Sequence, residues 1–298
     1  MNFLITGGEG FIGRNIKKSL EADGHCVRTL DIDGKPDYKN SILDFDSLKI
    51  ATKDLDGIFH LAATTSPPEF EINIFQGFNT NVVGTLNVLK AAAENNVKRV
   101  ALASSSAVYG NLIIPGKEDM TIPGHENMYA TTKLFDEYIG KYFTIREEVE
   151  VVFLRFFNTY GIGENSKGLY SSVISKFLES ISKGESPIIY GDGNQQRDFI
   201  YVEDLAEVSK KAFFKGQKGE AYNIGTGIST TFNDISRIFS TLFGNEVKFT
   251  YQKNPFKNYQ MFTQADMTKT FNALQWKPKY SLIDGIQTMK DLLKISNK

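Results

Sequence analysis

Cysteine and histidine are scarce in this chain of 298 residues, which contains one Cys and three His. The single Cys26 excludes an internal disulfide framework and favours a reducing compartment, so we expect a cytoplasmic protein. His25, His60 and His125 are scattered, and their spacing is not that of a metal site. We therefore expect no bound metal.

The chain has no excess of charge and no long apolar run. Lys plus Arg number 34 and Asp plus Glu 35, for a formal net charge of −1. This balance excludes the broad basic surface that nucleic acid or an anionic membrane attracts. No stretch of about 18 apolar residues is present to span a bilayer, and Met1–Thr6 runs into glycines too early for a signal peptide. We expect neither a nucleic-acid partner nor a membrane partner.

Short apolar segments alternate with helical patterns in the first half of the chain. The predicted strands are Phe3–Ile5, Val27–Leu30, Ile58–Leu61, Val100–Ala103 and Val151–Phe157, and the predicted helices are Phe11–Leu20, Thr85–Glu94 and Ala130–Phe143. This alternation predicts an α/β fold with a doubly wound parallel sheet. After about Gly161, glycine and proline become denser and the apolar runs shorter, which predicts a smaller α/β C-terminal region.

A glycine-rich segment, TGGEGFIG (Thr6–Gly13), follows the first predicted strand and opens the first predicted helix. Gly7 allows a tight turn, Gly10 lets backbone N–H groups approach a pyrophosphate, and Gly13 lets helix and strand pack closely. The Gly-x-x-Gly-x-x-Gly spacing differs from the usual dinucleotide fingerprint. An ordinary strand-to-helix turn explains the segment equally well.

Asp31 lies 24 residues after Gly7, at the end of the second predicted strand. This offset is typical of an acidic residue that binds the adenosine ribose of a dinucleotide. A carboxylate there repels a 2′-phosphate, so NAD is favoured over NADP. The alternative is that Asp31 only begins the turn that ends at Gly34.

Two hydroxyl-bearing patterns follow later strands. Tyr129 and Lys133 stand four residues apart and share one helical face, while Ser104, Ser105 and Ser106 end the fourth predicted strand. A tyrosine beside an ammonium and a bound nicotinium is favoured as phenolate and can act as a base. Taken singly, an exposed helical pair and a serine-rich turn explain the same residues.

With these motifs in order, the chain resembles the extended short-chain dehydrogenase/reductases of the nucleotide-sugar epimerase and dehydratase group, most closely the UDP-sugar 4-epimerases. The matching segments are TGGEGFIG, FHLAA (59–63), NVVGT (81–85), SSSAVYG (104–110), YATTK (129–133), LRFFNTYG (154–161), GDGNQQRDFIYVEDLA (191–206), YNIG (222–225) and ADMTK (265–269). They span nearly the whole chain.

The resemblance implies a catalytic set of Tyr129 as base, Lys133 as its partner on the nicotinamide ribose, and Ser105 as the catalytic hydroxyl. The implied cofactor-binding residues are Gly7, Gly10, Phe11, Ile12, Gly13, Asp31, Ser41, Ile42, Leu61, Ala62, Ala63, Ser104, Tyr129, Lys133 and Phe157. The implied substrate-binding residues are Ser105, Asn158, Arg197 and Lys257. Arg197 would bind the diphosphate, unless it only forms a local ion pair with Asp198.

Three positions depart from the group's pattern. Ser41 stands where an aspartate usually contacts adenine. No arginine precedes the Ala265–Lys269 segment, so Lys253 or Lys257 would take over its diphosphate contact. Ser106 and Ala107 follow the catalytic hydroxyl where dehydratases and decarboxylases of the group carry acidic residues. The general acid that an elimination requires is therefore missing.

The resemblance implies an NAD-dependent epimerase that inverts C4 of a UDP-hexose through a 4-keto intermediate. Alternatives are an ADP-heptose-type 6-epimerase, which segments 163–168 and 259–266 resemble, a nucleotide-ketosugar reductase, and a non-catalytic cofactor-sensing protein. The implied organisation is an NAD-binding Rossmann domain of residues 1–160, to which 200–225 returns, and a substrate-binding region of residues 161–298. A homodimer is implied, paired through the helices near Asn81–Glu94 and Ala130–Phe143.

Overall fold

A sheet of seven parallel strands dominates the computed structural model, which describes residues 1–65, 70, 72–112, 114–120, 127–164, 171–244, 247–255 and 260–295. Numbered along the chain, its strands are β1 (Asn2–Thr6), β2 (Cys26–Asp31), β3 (Tyr38–Lys39), β4 (Gly57–His60), β5 (Arg99–Ser105), β6 (Glu150–Phe156) and β10 (Ala221–Ile224). Their spatial order is β10-β6-β5-β4-β1-β2-β3. The order reverses at β1, which pairs with β2 on one side and β4 on the other. Ligands of doubly wound sheets bind at such a switch point, beyond the carboxyl ends of the strands.

Helices cover both faces of this sheet. The helices of the described residues, including those outside this sheet, are α1 (Phe11–Ala22), α2 (Phe45–Ala51), α3 (Ile74–Phe78), α4 (Gly84–Glu94), α5 (Met128–Arg146), α6 (Val173–Ser182), α7 (Val202–Lys215), α8 (Phe232–Phe243), α9 (Thr268–Leu274) and α10 (Leu282–Leu292). A π-helical turn, Asn79–Val83, precedes α4, and a 3₁₀ turn, Ser106–Tyr109, follows β5. Helices α1 and α7 pack on one apolar face, and α2, α4 and α5 on the other. Covered on both faces, the central strands are apolar almost throughout.

Beyond β6 the strands are shorter and form two small sheets. They are β7 (Asn158–Tyr160), β8 (Ile188–Tyr190), β9 (Gln196–Tyr201), β11 (Ser229–Thr231) and β12 (Thr250–Gln252). In one sheet β9 lies between β7 and β11, and in the other β12 pairs with β8. An aromatic-rich core that includes Phe177, Phe199 and Phe239 joins them to α6, α8 and α10.

The α/β fold with a doubly wound sheet and a smaller second region is confirmed. Residues beyond 160 also build the larger sheet and its core: β10 pairs with β6, and α7 packs against α1. Ala265, Met267 and Trp276 join the same core, a second return that the sequence did not indicate. The domain boundaries at 160 and 161 stay a prediction.

Two kinds of feature are missing from the described residues. No helix among them is long and apolar enough to cross a membrane. No three His, Cys, Asp or Glu side chains among them come together as a metal-binding group.

Candidate active site

The glycine loop lies against the carboxyl end of β4. Gly7 adopts φ +71°, and its N–H donates to Leu30 O at 2.8 Å. A Cβ at Gly7 would lie 2.8 Å from Ala62 N, and one at Gly13 would lie 2.2 Å from Gly7 O. A larger residue at Gly13 would push α1 away from the loop, and a larger residue at Gly7 would push the loop away from the segment that follows β4. Both glycines therefore serve the close approaches that the motif predicts.

Helix α1 begins at the end of this loop, so its N-terminus lies beside the loop. Its N-cap is Gly10, which offers no side-chain hydrogen bond to the first turn. Phe11 is buried and Ile12 half-buried, so both anchor the helix. The positive end of a helix dipole at a glycine-lined turn is a suitable place for a phosphate.

Asp31 lies at the end of β2 with both oxygens in hydrogen bonds. Its Oδ2 accepts from Glu9 N at 2.9 Å, and its Oδ1 accepts from Ile32 N at 2.8 Å and Asp33 N at 3.3 Å. The carboxylate thus fixes the glycine loop to its own turn while remaining partly exposed. In this geometry Asp31 can begin the turn and still offer its carboxylate to a ribose.

The two predicted adenine-side residues lie in the turn before α2. Ser41 is half-buried, and its Oγ accepts from Leu43 N at 3.2 Å. Ile42 is buried and packs against Gly84, where a Cβ would come within 2.4 Å of its side chain. Ile42 therefore anchors this turn to α4, and of the two Ser41 is the more accessible.

Residues Leu61–Ala63 continue β4 beside the glycine loop and are half-buried. Leu61 N donates to Thr6 O at 3.0 Å, and Ala62 N donates to Thr6 Oγ1 at 3.3 Å. The main chain of this segment therefore forms one wall of the crevice at the switch point.

His60 stabilises the floor below that wall. Its ring nitrogens lie 2.7 Å from Thr6 Oγ1 and 3.0 Å from Thr85 Oγ1. Burial, with a smaller contribution from Lys133, lowers the pKa of His60 to about 3. The imidazole is therefore neutral at physiological pH and links β1, β4 and α4 through hydrogen bonds.

Helix α5 presents the predicted base and its lysine. Asn127 caps the helix by accepting from Ala130 N at 2.8 Å. Tyr129 is half-buried, with its ring centroid 6.0 Å from that of Phe70. Lys133 is 5% exposed, and its Nζ donates to Ala103 O at 3.1 Å. This bond fixes the inner face of α5 to β5, two residues before Ser105.

Ser105 and Ser104, at the end of β5, point to different partners. Ser105 is half-buried, and its Oγ accepts from Ala107 N at 3.1 Å at the start of the 3₁₀ turn. Ser104 is buried and donates to Glu137 Oε1 at 2.6 Å. A cofactor contact from Ser104 would have to come from its main chain. The structure thus brings Ser105, Tyr129 and Lys133 to adjoining elements at one edge of the sheet.

Phe157 and Asn158 follow β6 at this edge. Phe157 is 5% exposed, and its N–H donates to Ile224 O at 3.0 Å. Asn158 Oδ1 accepts from Thr263 Oγ1 at 3.1 Å. The pair therefore stands where the large sheet meets the C-terminal segment.

A small cleft lies next to this junction. It runs between the segment after Ser105 and the segment 260–264, and Gln260 Nε2 bridges its walls by donating to Gly110 O at 2.8 Å. Its lining is Ser106, Tyr109, Gly110, Leu112, Ile114, Gly116, Phe157, Gln260, Phe262, Thr263 and Gln264. The lining combines neutral polar groups with apolar side chains, as the walls of small-molecule sites do.

Arg197, the predicted diphosphate ligand, is buried in β9. Its guanidinium donates to Gln196 O at 2.8 Å and Gln260 O at 2.5 Å, and it lies 6.0 Å from the Phe232 ring. It therefore also anchors the 260–264 wall of the cleft. Lys253 is exposed, whereas Lys257 lies outside the described residues, as does the Asn165–Gly168 part of the segment that resembles heptose epimerases.

Sequence reasoning missed a buried network behind the predicted catalytic residues. Glu137 accepts two bonds from Arg155, at 2.9 and 2.8 Å, and Arg155 Nη1 donates to Tyr109 Oη at 3.0 Å. Tyr109 donates in turn to Asn223 Oδ1 at 2.6 Å, and burial raises the pKa of this hydroxyl, which stays protonated. The signal that could have revealed it is a carboxylate four residues after Lys133, on the buried face of the same helix.

The fold and the site define a dinucleotide-dependent α/β enzyme with a Tyr-x-x-x-Lys pair, and comparison with known proteins makes the class specific. The profile of the NAD dependent epimerase/dehydratase family matches residues 3–225. The chain belongs to this family. It is therefore an NAD-dependent enzyme of the nucleotide-sugar epimerase type.

Three similar proteins cover nearly the whole chain. A Methanocaldococcus jannaschii protein, provisionally named UDP-glucose 4-epimerase, is 32% identical and aligned over 99% of both chains. The ADP-L-glycero-D-manno-heptose-6-epimerase of Brachyspira hyodysenteriae is 29% identical over 98% of both. The solved UDP-N-acetylglucosamine 4-epimerase of Methanobrevibacter ruminantium M1, in complex with UDP-N-acetylmuramic acid, superposes with a TM-score of 0.91 at 29% identity over 98% of both.

Proposed function

We propose that the protein inverts C4 of a UDP-hexose, with NAD as a retained cofactor. The observation that carries the proposal is the Lys133–Ala103 hydrogen bond, since it fixes Tyr129 and Lys133 of α5 beside Ser105 of β5. The similar proteins whose names state C4 chemistry on UDP-sugars support the position and the nucleotide.

The residues at the switch point fit NAD. The glycine loop closes on Ala62 with no space for side chains, and α1 begins there with an uncapped glycine. Asp31 is bonded to this loop through Glu9 N and would receive the ribose hydroxyls. When bound, NAD supplies a reversible hydride acceptor. The residues proposed to hold it are Gly7, Gly10, Phe11, Ile12, Gly13, Asp31, Ser41, Ile42, Leu61, Ala62, Ala63, Ser104, Tyr129, Lys133 and Phe157.

In the first half-reaction Tyr129 accepts the proton of the sugar 4-hydroxyl as the C4 hydride leaves. Ser105 would orient that oxygen, and Lys133 would hold the nicotinamide ribose. The 4-ketone then turns over beside Tyr129. Tyr129 then returns the proton as the hydride comes back to the opposite face. The cycle involves no net oxidation, so one bound cofactor suffices.

The substrate contacts proposed besides Ser105 are Asn158, Arg197 and Lys257. Arg197 already anchors the 260–264 wall, so a diphosphate would bind where that wall meets β9. Ser106 and Ala107 offer no carboxyl group beside Ser105, which disfavours the eliminations of dehydratases.

A substrate panel tests the proposal. The NAD-loaded protein is incubated with UDP-glucose, UDP-galactose, both N-acetylhexosamine analogues, both uronic acids and an ADP-heptose, and the products are resolved by NMR. We expect interconversion of one UDP-hexose pair that differs at C4. Inversion of the ADP-heptose alone would replace the proposal.

The second candidate is a 6-epimerase of ADP-heptose type, favoured by the similarity to the Brachyspira hyodysenteriae enzyme. The resemblance implies a second acid–base group there, at Lys167. Lys167→Met retains the bulk of the stem and removes the ammonium. A C4-epimerase should keep most of its kcat in this variant. A collapse of kcat with NAD binding intact would favour the two-base chemistry.

We further propose a cytoplasmic homodimer. The outer face of α5 exposes Phe135, Tyr138, Tyr142 and Ile145, an apolar stripe at helical spacing, and Leu86 of α4 is also exposed. A second copy would cover this stripe by pairing α4 and α5 in a four-helix bundle. Tyr138→Glu combined with Ile145→Glu should yield monomers in light scattering. A monomeric unmodified protein would contradict the proposal. The exposed thiol of Cys26 supports a reducing compartment.

A further inference from the structure

A buried carboxylate touches the catalytic lysine. Asp136, three residues after Lys133 on α5, is fully buried, and its Oδ2 accepts from Lys133 Nζ at 3.1 Å. Its Oδ1 has no donor within ordinary hydrogen-bond distance among the described residues, and Thr85 contributes a weaker interaction that lowers the pKa of the carboxyl. The main donor to this carboxylate is therefore the Lys133 ammonium.

Lys133 in turn has a defined set of partners. An ammonium carries three N–H donors. Two of them bind Ala103 O and Asp136 Oδ2, both at 3.1 Å, so one remains for a ribose hydroxyl. The side chain is nearly buried, so these two bonds hold the orientation of its ammonium.

We propose that Asp136 is a positioning residue that acts through Lys133, orienting the ammonium and offsetting part of its charge, so that it sets the pH range in which Tyr129 works as the base. The proposal deepens the proposed function, on which it rests. Seven residues separate Tyr129 from Asp136, which is roughly 10 Å along a helix. At an effective dielectric constant of about 20, a charge at that distance shifts an ionisation by about one pH unit.

The other charged groups near Lys133 and Asp136 are paired or neutral, so Asp136 is the group whose charge can change near Lys133. Glu137 on the same helix is paired with Arg155 of β6. His60 of β4 is neutral because burial lowers its pKa to about 3. Burial raises the pKa of Asp136 to about 6, against the opposing effect of Lys133. The influence of Asp136 on Tyr129 is therefore present above about pH 6 and fades below it.

The test compares Asp136→Asn and Asp136→Ser with the unmodified protein, all loaded with NAD. Tyrosine ring carbons are labelled with ¹³C, and the Tyr129 resonance, assigned by its loss in Tyr129→Phe, is titrated with pH. In parallel, kcat is measured against pH on the substrate that the panel identifies. Glu179→Gln, which removes one carboxylate from the exposed pair with Lys183, is the matched control.

Both Asp136 variants should move the Tyr129 titration and the acid limb of kcat to lower pH, by about one unit. The control should move neither. An unchanged titration, or a shift to higher pH, would overturn the proposal, as would failure of both variants to fold, because the carboxylate would then serve stability. The NMR arm needs no turnover, so it separates failure of this proposal from failure of the epimerase assignment.

Discussion

The two sides of the candidate site are built differently. On the cofactor side, residues at the ends of β1, β4 and β5 are held by a sheet that is buried on both faces. On the substrate side, strands β7, β8, β11 and β12 have three residues each, and one cleft wall is the segment 260–264, outside any strand. The rigid side can hold the groups of a reaction that a whole family shares. The loop segments can vary without disturbing the sheet, so they are where substrate choice is expected to be determined.

The largest expected effect tests whether the chemistry lies on the cofactor side. Tyr129→Phe should lower kcat by at least the roughly 10²–10⁴-fold that one positioned acid–base group contributes. NAD affinity and the melting temperature should change little, because the aromatic ring remains in place beside Phe70. Epimerisation at the normal rate by this variant would show that Tyr129 is not the base.

The buried network ties the two sides together. Glu137→Ala would leave Arg155 buried without its bidentate partner, at a cost of about 3–5 kcal/mol in the free energy of unfolding. Urea unfolding measures this. Glu179→Ala, in the exposed pair with Lys183, should cost less than about 1 kcal/mol. Equal losses in the free energy of unfolding for the two variants would mean that the buried network stabilises the fold no more than an exposed ion pair does.

Removal of the Asp31 carboxylate tests whether Asp31 contributes to NAD binding on the cofactor side. Asp31→Ala should weaken NAD binding roughly 10- to 100-fold, the range for a hydrogen bond to a charged group. NADP should lose less, since a repulsion of its 2′-phosphate disappears too. Calorimetry with both cofactors checks this, with Asp33→Ala as the control. Equal losses would leave Asp31 as a turn residue only.

The smallest expected effect concerns pH. The pKa of His60 is lowered to about 3, so the folded protein keeps it neutral while an unfolded histidine gains a proton below about pH 6.5. Its contribution to stability is present above pH 6.5 and is lost on acidification. Between pH 6.5 and 5, His60→Gln should lose about 2 kcal/mol less than the unmodified protein in urea unfolding. If the free energies of unfolding of the two proteins fell equally with pH, His60 would not be a buried, neutral imidazole.

The sequence predicted the cofactor side in detail because local patterns encode it. The predicted strand Phe3–Ile5 is observed as Asn2–Thr6, and the predicted helix Ala130–Phe143 as Met128–Arg146. The glycine spacing and Tyr129–Lys133 are likewise local. Fold class, family and cofactor follow from such patterns and are confirmed.

The contacts that sequence analysis missed are long-range. The bond from Tyr109 to Asn223 joins residues 114 positions apart, and Gln260 reaches Gly110 across 150. No periodicity marks such pairs, since they arise from packing of separate elements. Asp136 is missed for another reason: its burial reverses the usual expectation for an aspartate on a helix.

One measurement tests the central claim most directly. The UDP-hexose that the panel selects is labelled with deuterium at C4 and incubated with the NAD-loaded protein in ordinary water. If Tyr129 moves only the hydroxyl proton while the C4 hydrogen is held in the site, the C4-inverted product should retain its deuterium, as shown by NMR and mass spectrometry. Loss of the deuterium to solvent, or inversion at a carbon other than C4, would contradict the account.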